Sequence, residues 1–327
     1  MTQVATDQGR SQSIKIALAF SAIYVIWGTT YLAIRIAIET IPPFLMAGTR
    51  FLIAGSLVFI FLLIKGVPLP RRFHWRSAVI VGAFLLLGGN GLVTWSEQEI
   101  PSGMAALVVA TVPMWMMLFE WLIFRGKAPN KQIVIGILIG FLGIFLLIGP
   151  AQLMGNTDFG TFSLMVLMMA PILWSFGSLY SRKVKLPGNV FMSTATEMLA
   201  GGIIMLFVGL IVGETSQLNI SQFSLRSMGA MLYLMVFGSI VAFTAYLWLL
   251  KTVQPSKVAT YTYVNPVIAV FLGWFILNES ITPLSIIAIV AIVLSVVLIT
   301  TQRKKQVFDS SAAPSQSVVL NSEAAAD

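Results

Sequence analysis

Between Ile14 and Thr301 the chain passes through ten predominantly apolar stretches, each near the ~20 residues that carry a helix across a bilayer core. The expected spans are 14–34, 44–64, 77–95, 103–124, 132–149, 159–180, 190–213, 227–250, 256–277 and 283–301. No water in the bilayer core satisfies exposed backbone groups, so runs of this length read as helices. The predicted class is all-α, a polytopic membrane protein of ten transmembrane helices. Composition agrees: 57% of the 327 residues are hydrophobic, 10% are charged and mean hydropathy is +0.91, a profile foreign to water-soluble domains. Residues 1–13 are polar and lead into a full-length span, without the short apolar core and cleavage site of a removable signal peptide. Residues 303–327, rich in Ser and Ala, read as a disordered tail.

The formal net charge of +8 invites a nucleic-acid reading, which the placement of the charges removes. Seventeen of the twenty Lys and Arg residues fall before the first span, after the last, or in the loops after the second, fourth, sixth and eighth spans. Those loops share one side of the membrane. Only Arg35, Arg50 and Arg226 lie elsewhere. This is the positive-inside pattern and places both termini in the cytoplasm, so the charge encodes topology. The chain has no cysteine and its one histidine, His74, sits in a basic loop; no disulfide, metal site or cofactor is expected.

The chain repeats itself. An offset of 147 positions superimposes the first two spans on the sixth and seventh, pairing Trp27 with Trp174, Arg35 with Arg182, Thr49 with Thr196 and Gly55 with Gly202. An offset of 153 relates spans three to five to spans eight to ten, pairing Trp95 with Trp248, Ala106 with Ala259, Pro113 with Pro266 and Trp121 with Trp274. Identity is otherwise low, but six of the eight tryptophans pair, which favours duplication over chance alignment of apolar helices. The expected organisation is a cytoplasmic segment 1–13, a five-helix repeat 14–149, a connecting loop 150–158, a second five-helix repeat 159–302 and the tail 303–327. Five spans is an odd number, so the second copy enters the membrane inverted. The paired prolines are expected to break spans four and nine. Proline has no N–H and crowds the carbonyl four residues back, and broken helix at membrane depth is tolerated where it faces protein or a wet cavity. Tyr261, Tyr263 and Asn265 beside Pro266 mark such a surface; the alternative is a kink made for packing.

Four stretches resemble a known family: Ile26-Trp27-Gly28-Thr29-Thr30-Tyr31; Gly89-Asn90-Gly91 to Glu97; Pro101-Ser102-Gly103 through Pro113; and Tyr263-Val264-Asn265-Pro266 through Glu279. Together they are similar to the ten-helix drug/metabolite transporter superfamily, EamA group, over roughly residues 14 to 302. The resemblance implies a basket of helices around a cavity lined by the first, third, fourth, sixth, eighth and ninth spans, and a role in export. One departure stands out: many relatives carry a glutamate after the fourth span where this chain has Gly126, while the second half keeps Glu279.

On the implied cavity helices the expected solute-binding residues are Trp27, Thr30, Tyr31, Asn90, Thr94, Trp95, Trp174, Ser178, Tyr246, Trp248, Tyr261, Tyr263 and Asn265. Aromatic faces with a few hydroxyl and amide groups suit a neutral or zwitterionic organic solute, although such rings also serve as packing or interface anchors. Arg50 and Glu197 occupy matching repeat positions about 10 Å from opposite membrane surfaces at ~1.5 Å per residue. An intramembrane acid is a functional candidate by default, so Glu197 is the expected proton-coupling group, the alternative being a hydrogen-bonded structural glutamate. Glu97 and Glu99 are expected to be solvated in a loop, and Arg35 with Glu39 to form an i,i+4 pair. Gly136 and Gly140 mark a close-packed seam.

An intramembrane hydrolase would need a Ser–His pair, paired acids or metal ligands within the spans, and none occurs. No phosphate-binding loop of the G-x-x-x-x-G-K-[ST] type appears, so energy would come from an ion or solute gradient. The function expected is secondary transport of a small metabolite or amphiphilic drug, outward and by alternating access, in a bacterial inner membrane. The expected partners are the solute, lipid and protons; no oligomeric state is assigned. A passive channel for small organic solutes is the open alternative.

Overall fold

The computed structural model describes residues 2–126, 128–148 and 160–279, together with 281, 283, 284, 286–295, 297 and 298. The connecting loop expected at 150–158 and the tail at 303–327 lie outside the described residues. The described residues contain helix and turn and no strand. Helix α1 is Thr2–Ala37 and α2 is Pro43–Ile64; α3, Arg72–Gly82, runs through a π-helical segment Ala83–Gly91 into α4, Leu92–Ser96. Then come α5 (Ser102–Val109), α6 (Val112–Leu122), α7 (Lys131–Ile148), α8 (Thr161–Ser181) and α9 (Val190–Ile211). Helix α10, Leu225–Tyr233, passes through a second π-helical segment, Leu234–Ala242, into α11, Phe243–Thr252. The series closes with α12 (Pro255–Val258), α13 (Tyr261–Leu277) and α14 (Ile286–Ser295). Among the described residues seven helices are long and apolar enough to cross a membrane, and shorter apolar helices cover Lys131–Gly143, Val264–Leu277 and Ile286–Ser295, where the fifth, ninth and tenth spans are expected. The first helix begins well before the predicted residue 14.

Side chains are distributed as in lipid rather than water. Leu57, Phe61, Leu138 and Phe207 point outward, each more than half exposed, while Arg50, Thr94, Glu97, Ser178, Glu197 and Asn265 are buried at 2% or less. This is a multi-pass membrane protein, with polar groups turned inward, away from lipid.

The backbone carries the repeat as plainly as the sequence. Helices α2 and α9 have 22 residues each, with ends offset by 147; the starts of α3 and α10 are offset by 153, and each runs into a nine-residue π-helical segment. The positive-φ glycines are Gly66 (76°) and Gly213 (81°), again 147 apart. The positive-φ non-glycine residues are Arg125 (55°) and Asn278 (54°), 153 apart. A left-handed residue ends a helix by turning the chain away from the axis, so equivalent helices stop in the same way in both halves.

Helices α2 and α9 cross through glycine. A Cβ on Gly48 would come within 3.0 Å of the Gly202 carbonyl oxygen, and one on Gly55 within 3.1 Å of the Ala195 carbonyl oxygen. At the offset of 147, Gly48 corresponds to Ala195 and Gly55 to Gly202, so one contact is the other with its partners exchanged. Numbering rises along α2 as it falls along α9. Reciprocal contact between antiparallel equivalents is the signature of a twofold axis in the membrane plane. Without a hydrophobic drive between helices in lipid, close approach at small residues is what holds the crossing. The seam expected at Gly136 and Gly140 is found around Gly140, which abuts Ser295, and Gly143, which abuts Ile292.

The structure moves both predicted breaks to the N-terminal side of their prolines. Span four is interrupted at Ala110–Thr111, and Pro113 is the second residue of α6, where a missing N–H costs nothing because it would have no helical partner. In span nine the interruption is at Ala259–Thr260, between α12 and α13, and Pro266 lies inside α13. Proline therefore begins a helix in one half and is absorbed within one in the other.

Candidate functional site

A cavity of about 70 Å³ lies within the helix bundle. That is room for several waters at ~10–15 Å³ each, between walls too close for a large solute without movement. Its lining comes from α1 (Trp27, Thr30, Tyr31), α2 (Arg50, Phe51), the first π-helical segment (Gly89, Asn90), α5 (Val109), α8 (Trp174), the second π-helical segment (Gly238), α11 (Phe243) and α13 (Tyr261). These are the six spans that the resemblance implies, with the second added.

Trp27 is the centre of an aromatic wall. Its ring centroid lies 5.5 Å from Trp174, edge to face, 5.0 Å from Tyr246 and 5.1 Å from Tyr261. Trp27 and Trp174 are repeat-related, so the two copies of one sequence position meet in the wall. The polar tips are tied down behind it: Trp174 Nε1 donates to Tyr246 Oη at 3.0 Å, and Tyr246 Oη lies 2.7 Å from Ser178 Oγ. Buried indole and phenol groups need such partners. The π-helical segments supply the close approaches. Trp174 packs on Gly89, where any Cβ would strike its ring, and Trp27 Nε1 donates to the Gly238 carbonyl at 3.5 Å. Wide π turns at both places leave the backbone near the cavity, a common use of that geometry.

Of the expected binding residues, Trp27, Thr30, Tyr31, Asn90, Trp174 and Tyr261 line the cavity, and Arg50 joins them. The Thr30 hydroxyl is spent on the Trp27 carbonyl at 2.8 Å. Tyr246 and Ser178 stand behind the wall. Thr94 is fully buried and donates to the Asn90 carbonyl at 2.9 Å; Trp95 packs edge to face on Phe162; Trp248 packs against the aliphatic core. Asn265, with its amide nitrogen turned toward the acceptors, bridges the Tyr261 carbonyl at 3.1 Å and the Tyr24 carbonyl at 2.9 Å, tying α13 to α1. The Tyr263 side chain lies outside the described residues. Glu197 is fully buried on α9 away from the cavity lining, with Oε1 accepting from Ser193 Oγ at 3.0 Å and Oε2 without a hydrogen-bond donor.

Two expectations are overturned at the end of the bundle opposite the basic loops, while Glu99 stays exposed as expected. Glu97 is 0% exposed, and neither of its carboxyl oxygens has a hydrogen-bond donor. Arg35 donates to the Glu97 backbone carbonyl instead of pairing with Glu39, which lies 3.6 Å from Arg226. Glu99 caps α8, accepting from Gly160 N at 3.1 Å and Ser163 Oγ at 2.7 Å. Glu214 and Glu279 do the same elsewhere: Glu214 accepts from the Phe44 and Leu45 amides at the start of α2, and Glu279 from Ser102 and Gly103 at the start of α5. Carboxylates at the positive end of a helix dipole satisfy donors that the helix cannot. Loop position alone made Glu97 look solvated; segments distant in sequence, Arg35 among them, bury it. Glu97 carried a legible signal, because Asn90, Val93 and Glu97 fall at i, i+3 and i+7 on one helical face, and the Glu97 amide still donates to the Val93 carbonyl at 3.0 Å.

Comparison with known proteins follows the same two halves. The model of the EamA-like transporter family matches residues 14–149 and again 161–301. This chain belongs to the EamA-like transporter family. EamA-like proteins are transporters, not enzymes. The chain is 41% identical over 283 residues to the Escherichia coli K12 protein named uncharacterized inner membrane transporter YedA, covering 86% of this chain and 89% of that one. It is 24% identical over 271 residues to the uncharacterized transporter YoaV of Bacillus subtilis, covering 82% and 91%. A solved crystal structure superimposes with a TM-score of 0.62 at 20% identity, covering 89% of this chain and 98% of the other, which establishes likeness of fold.

Proposed function

We propose that this EamA-like protein is a secondary active carrier that exports a small organic solute by alternating access. The observation that carries the reading is the reciprocity of the two halves. Repeat-related Trp27 and Trp174 meet in the cavity wall, and the Gly48–Gly202 contact recurs as Gly55–Ala195 where α2 crosses α9. Two inverted copies can exchange conformations, so closing one end and opening the other are the same movement performed by opposite halves. The narrowness of the cavity fits a stage of that movement in which neither end is wide open.

Positive-inside charge supports a cytoplasmic location of the basic loops and both termini, and the likeness to YedA supports a bacterial inner membrane. The halves are the five-helix repeats 14–149 and 159–302. Solute contact belongs to Trp27, Tyr31, Asn90, Trp174 and Tyr261, with Tyr246 and Ser178 bracing the wall. Glu197, buried with one carboxyl oxygen unpartnered, is the proton-coupling acid, and outward solute movement exchanges for inward protons.

The test is reconstitution of the full chain in liposomes with a panel of metabolites and an imposed pH gradient. Saturable flux with trans-stimulation is expected, accelerated by the gradient in the unaltered protein and indifferent to it in Glu197→Gln. Linear flux at single-channel rates would replace the carrier with a pore. Unchanged pH dependence in Glu197→Gln would remove the coupling role.

A further inference from the structure

Arg50 is the one charged side chain on the cavity wall among the described residues. It is 2% exposed, and its partners are few. Nη2 donates to Asn90 Oδ1 at 2.5 Å and the guanidinium sits 4.4 Å from the centroid of the Phe51 ring, while Nε and Nη1 have no acceptor. A guanidinium offers two bidentate edges, Nε with Nη2 and Nη1 with Nη2, and Nη2 carries a hydrogen for each. Asn90 takes one of those hydrogens and leaves the other edge whole. Glu97 acts on Arg50 through space, but among the described residues no salt bridge joins them, and Glu97 is not part of the cavity lining. A buried cation with an unused fork is costly unless something pairs with it. The aromatic wall of Trp27, Trp174 and Tyr261 faces the same space.

We propose that the cavity takes a solute bearing a carboxylate on an apolar or aromatic body, with the carboxylate on the free edge of Arg50 and the body against Trp27, Trp174 and Tyr261. The proposal rests on the reading of this cavity as the solute site of a carrier and names the class of solute. A planar oxyanion matches the planar fork, which a single ammonium or a neutral amide does not. The Asn90 hydrogen bond and the Phe51 ring hold the guanidinium in place, so the cation is positioned before the solute arrives and little freedom is lost on binding. No carboxylate lines the described cavity, and a cationic solute would meet Arg50 with nothing to offset the repulsion.

Binding is measured on the purified full chain in lipid nanodiscs by quenching of intrinsic tryptophan fluorescence and, independently, by thermal shift. The probes are phenylacetate and indole-3-acetate, their neutral amides, and tryptamine as a cation. Each acid is expected to bind saturably about ten- to a hundredfold tighter than its amide, the range a charge-assisted hydrogen bond supplies. Arg50→Gln is expected to abolish that ratio, and Arg50→Lys, which keeps the charge and loses the fork, to keep part of it. Equal binding of acid and amide by the unaltered protein, tighter binding of tryptamine, absence of saturable binding by either acid, or an undiminished ratio in Arg50→Gln would each overturn the proposal. The comparison within the unaltered protein stands even if an Arg50 variant fails to fold. Acid binding as expected with no saturable flux in liposomes would uphold the anion site and overturn the carrier.

Discussion

Substituting Gly202 by alanine probes the crossing of α2 and α9, on which the relation between the two halves depends. The added Cβ would lie 2.8 Å from the Leu52 amide nitrogen, 3.0 Å from the Gly48 carbonyl oxygen and 3.2 Å from Leu52 Cα. All three are backbone atoms of α2, so no rotamer change relieves them, and the helices must part by roughly half an ångström. A gap of that size forfeits about a quarter of the well depth at each displaced contact, and overpacking of this kind costs ~1–3 kcal/mol. Alanine also gains about 1 kcal/mol over glycine in helix propensity, which would mask part of the loss. Gly229 supplies the correction: it is exposed within α10, and a Cβ there meets nothing within 4 Å. Gly229→Ala therefore reports propensity alone, and the difference between the two substitutions isolates the clash at about 1–3 kcal/mol. The assay is thermal unfolding of the full chain in detergent, followed by fluorescence-detected size exclusion, where ~1 kcal/mol moves Tm by roughly 2–4 °C. Gly55→Ala, whose Cβ would meet Leu199 N and Met198 Cβ at 3.0 Å, should act in the same direction. The double variant should lose less than the sum, because one separation of the helices relieves both clashes. Equal Tm shifts for Gly202→Ala and Gly229→Ala would refute the seam.

Burial, joined by the Glu279 charge, holds the Glu97 carboxyl well above the usual carboxylate range; the charged and titratable groups facing it are Arg35 and Tyr31 on α1, Arg50 on α2 and Glu279 after α13. Protonated Glu97 leaves Arg50 to an acidic probe and ionised Glu97 opposes that probe, so affinity for phenylacetate should fall as pH rises through the raised value, with Glu97→Gln abolishing the trend. Stability follows the same sign, highest below the unfolded carboxylate range and declining as pH rises through the folded value, and Tm against pH should be flatter in Glu97→Gln. Tyr246→Phe removes the acceptor of the Trp174 indole and the partner of Ser178, at a cost of about 1–3 kcal/mol; titration with indole-3-acetate should show weaker binding, and unchanged affinity would remove the bracing role. Asn265→Leu should lower Tm by several degrees by freeing the Tyr24 and Tyr261 carbonyls while leaving the acid-to-amide ratio intact; loss of the ratio at unchanged Tm would place Asn265 in contact with solute.

Membrane class, span positions and internal duplication were legible in the chain as written, because hydrocarbon length and the parity of an odd repeat act on apolar runs and offsets whatever their neighbours. Trp27 and Trp174 could be named for the same reason: they pair at a constant offset, and the structure brings them together. Glu97 and the partner of Glu39 differ from the sequence expectation because charged groups near a helix end look alike in sequence, and only distant segments decide which is solvated, which caps a helix and which is buried. The π-helical segments left no pattern to read, since their widened turns answer to Trp174 pressing on Gly89 and Trp27 reaching the Gly238 carbonyl. Asn265 passed from expected solute contact to a bridge between α13 and α1 on the position of one carbonyl of Tyr24. Periodicity and offset are local or translational properties and survive in one dimension. The unpaired edge of Arg50 exists only once Asn90, Phe51 and the aromatic wall have closed around it in three.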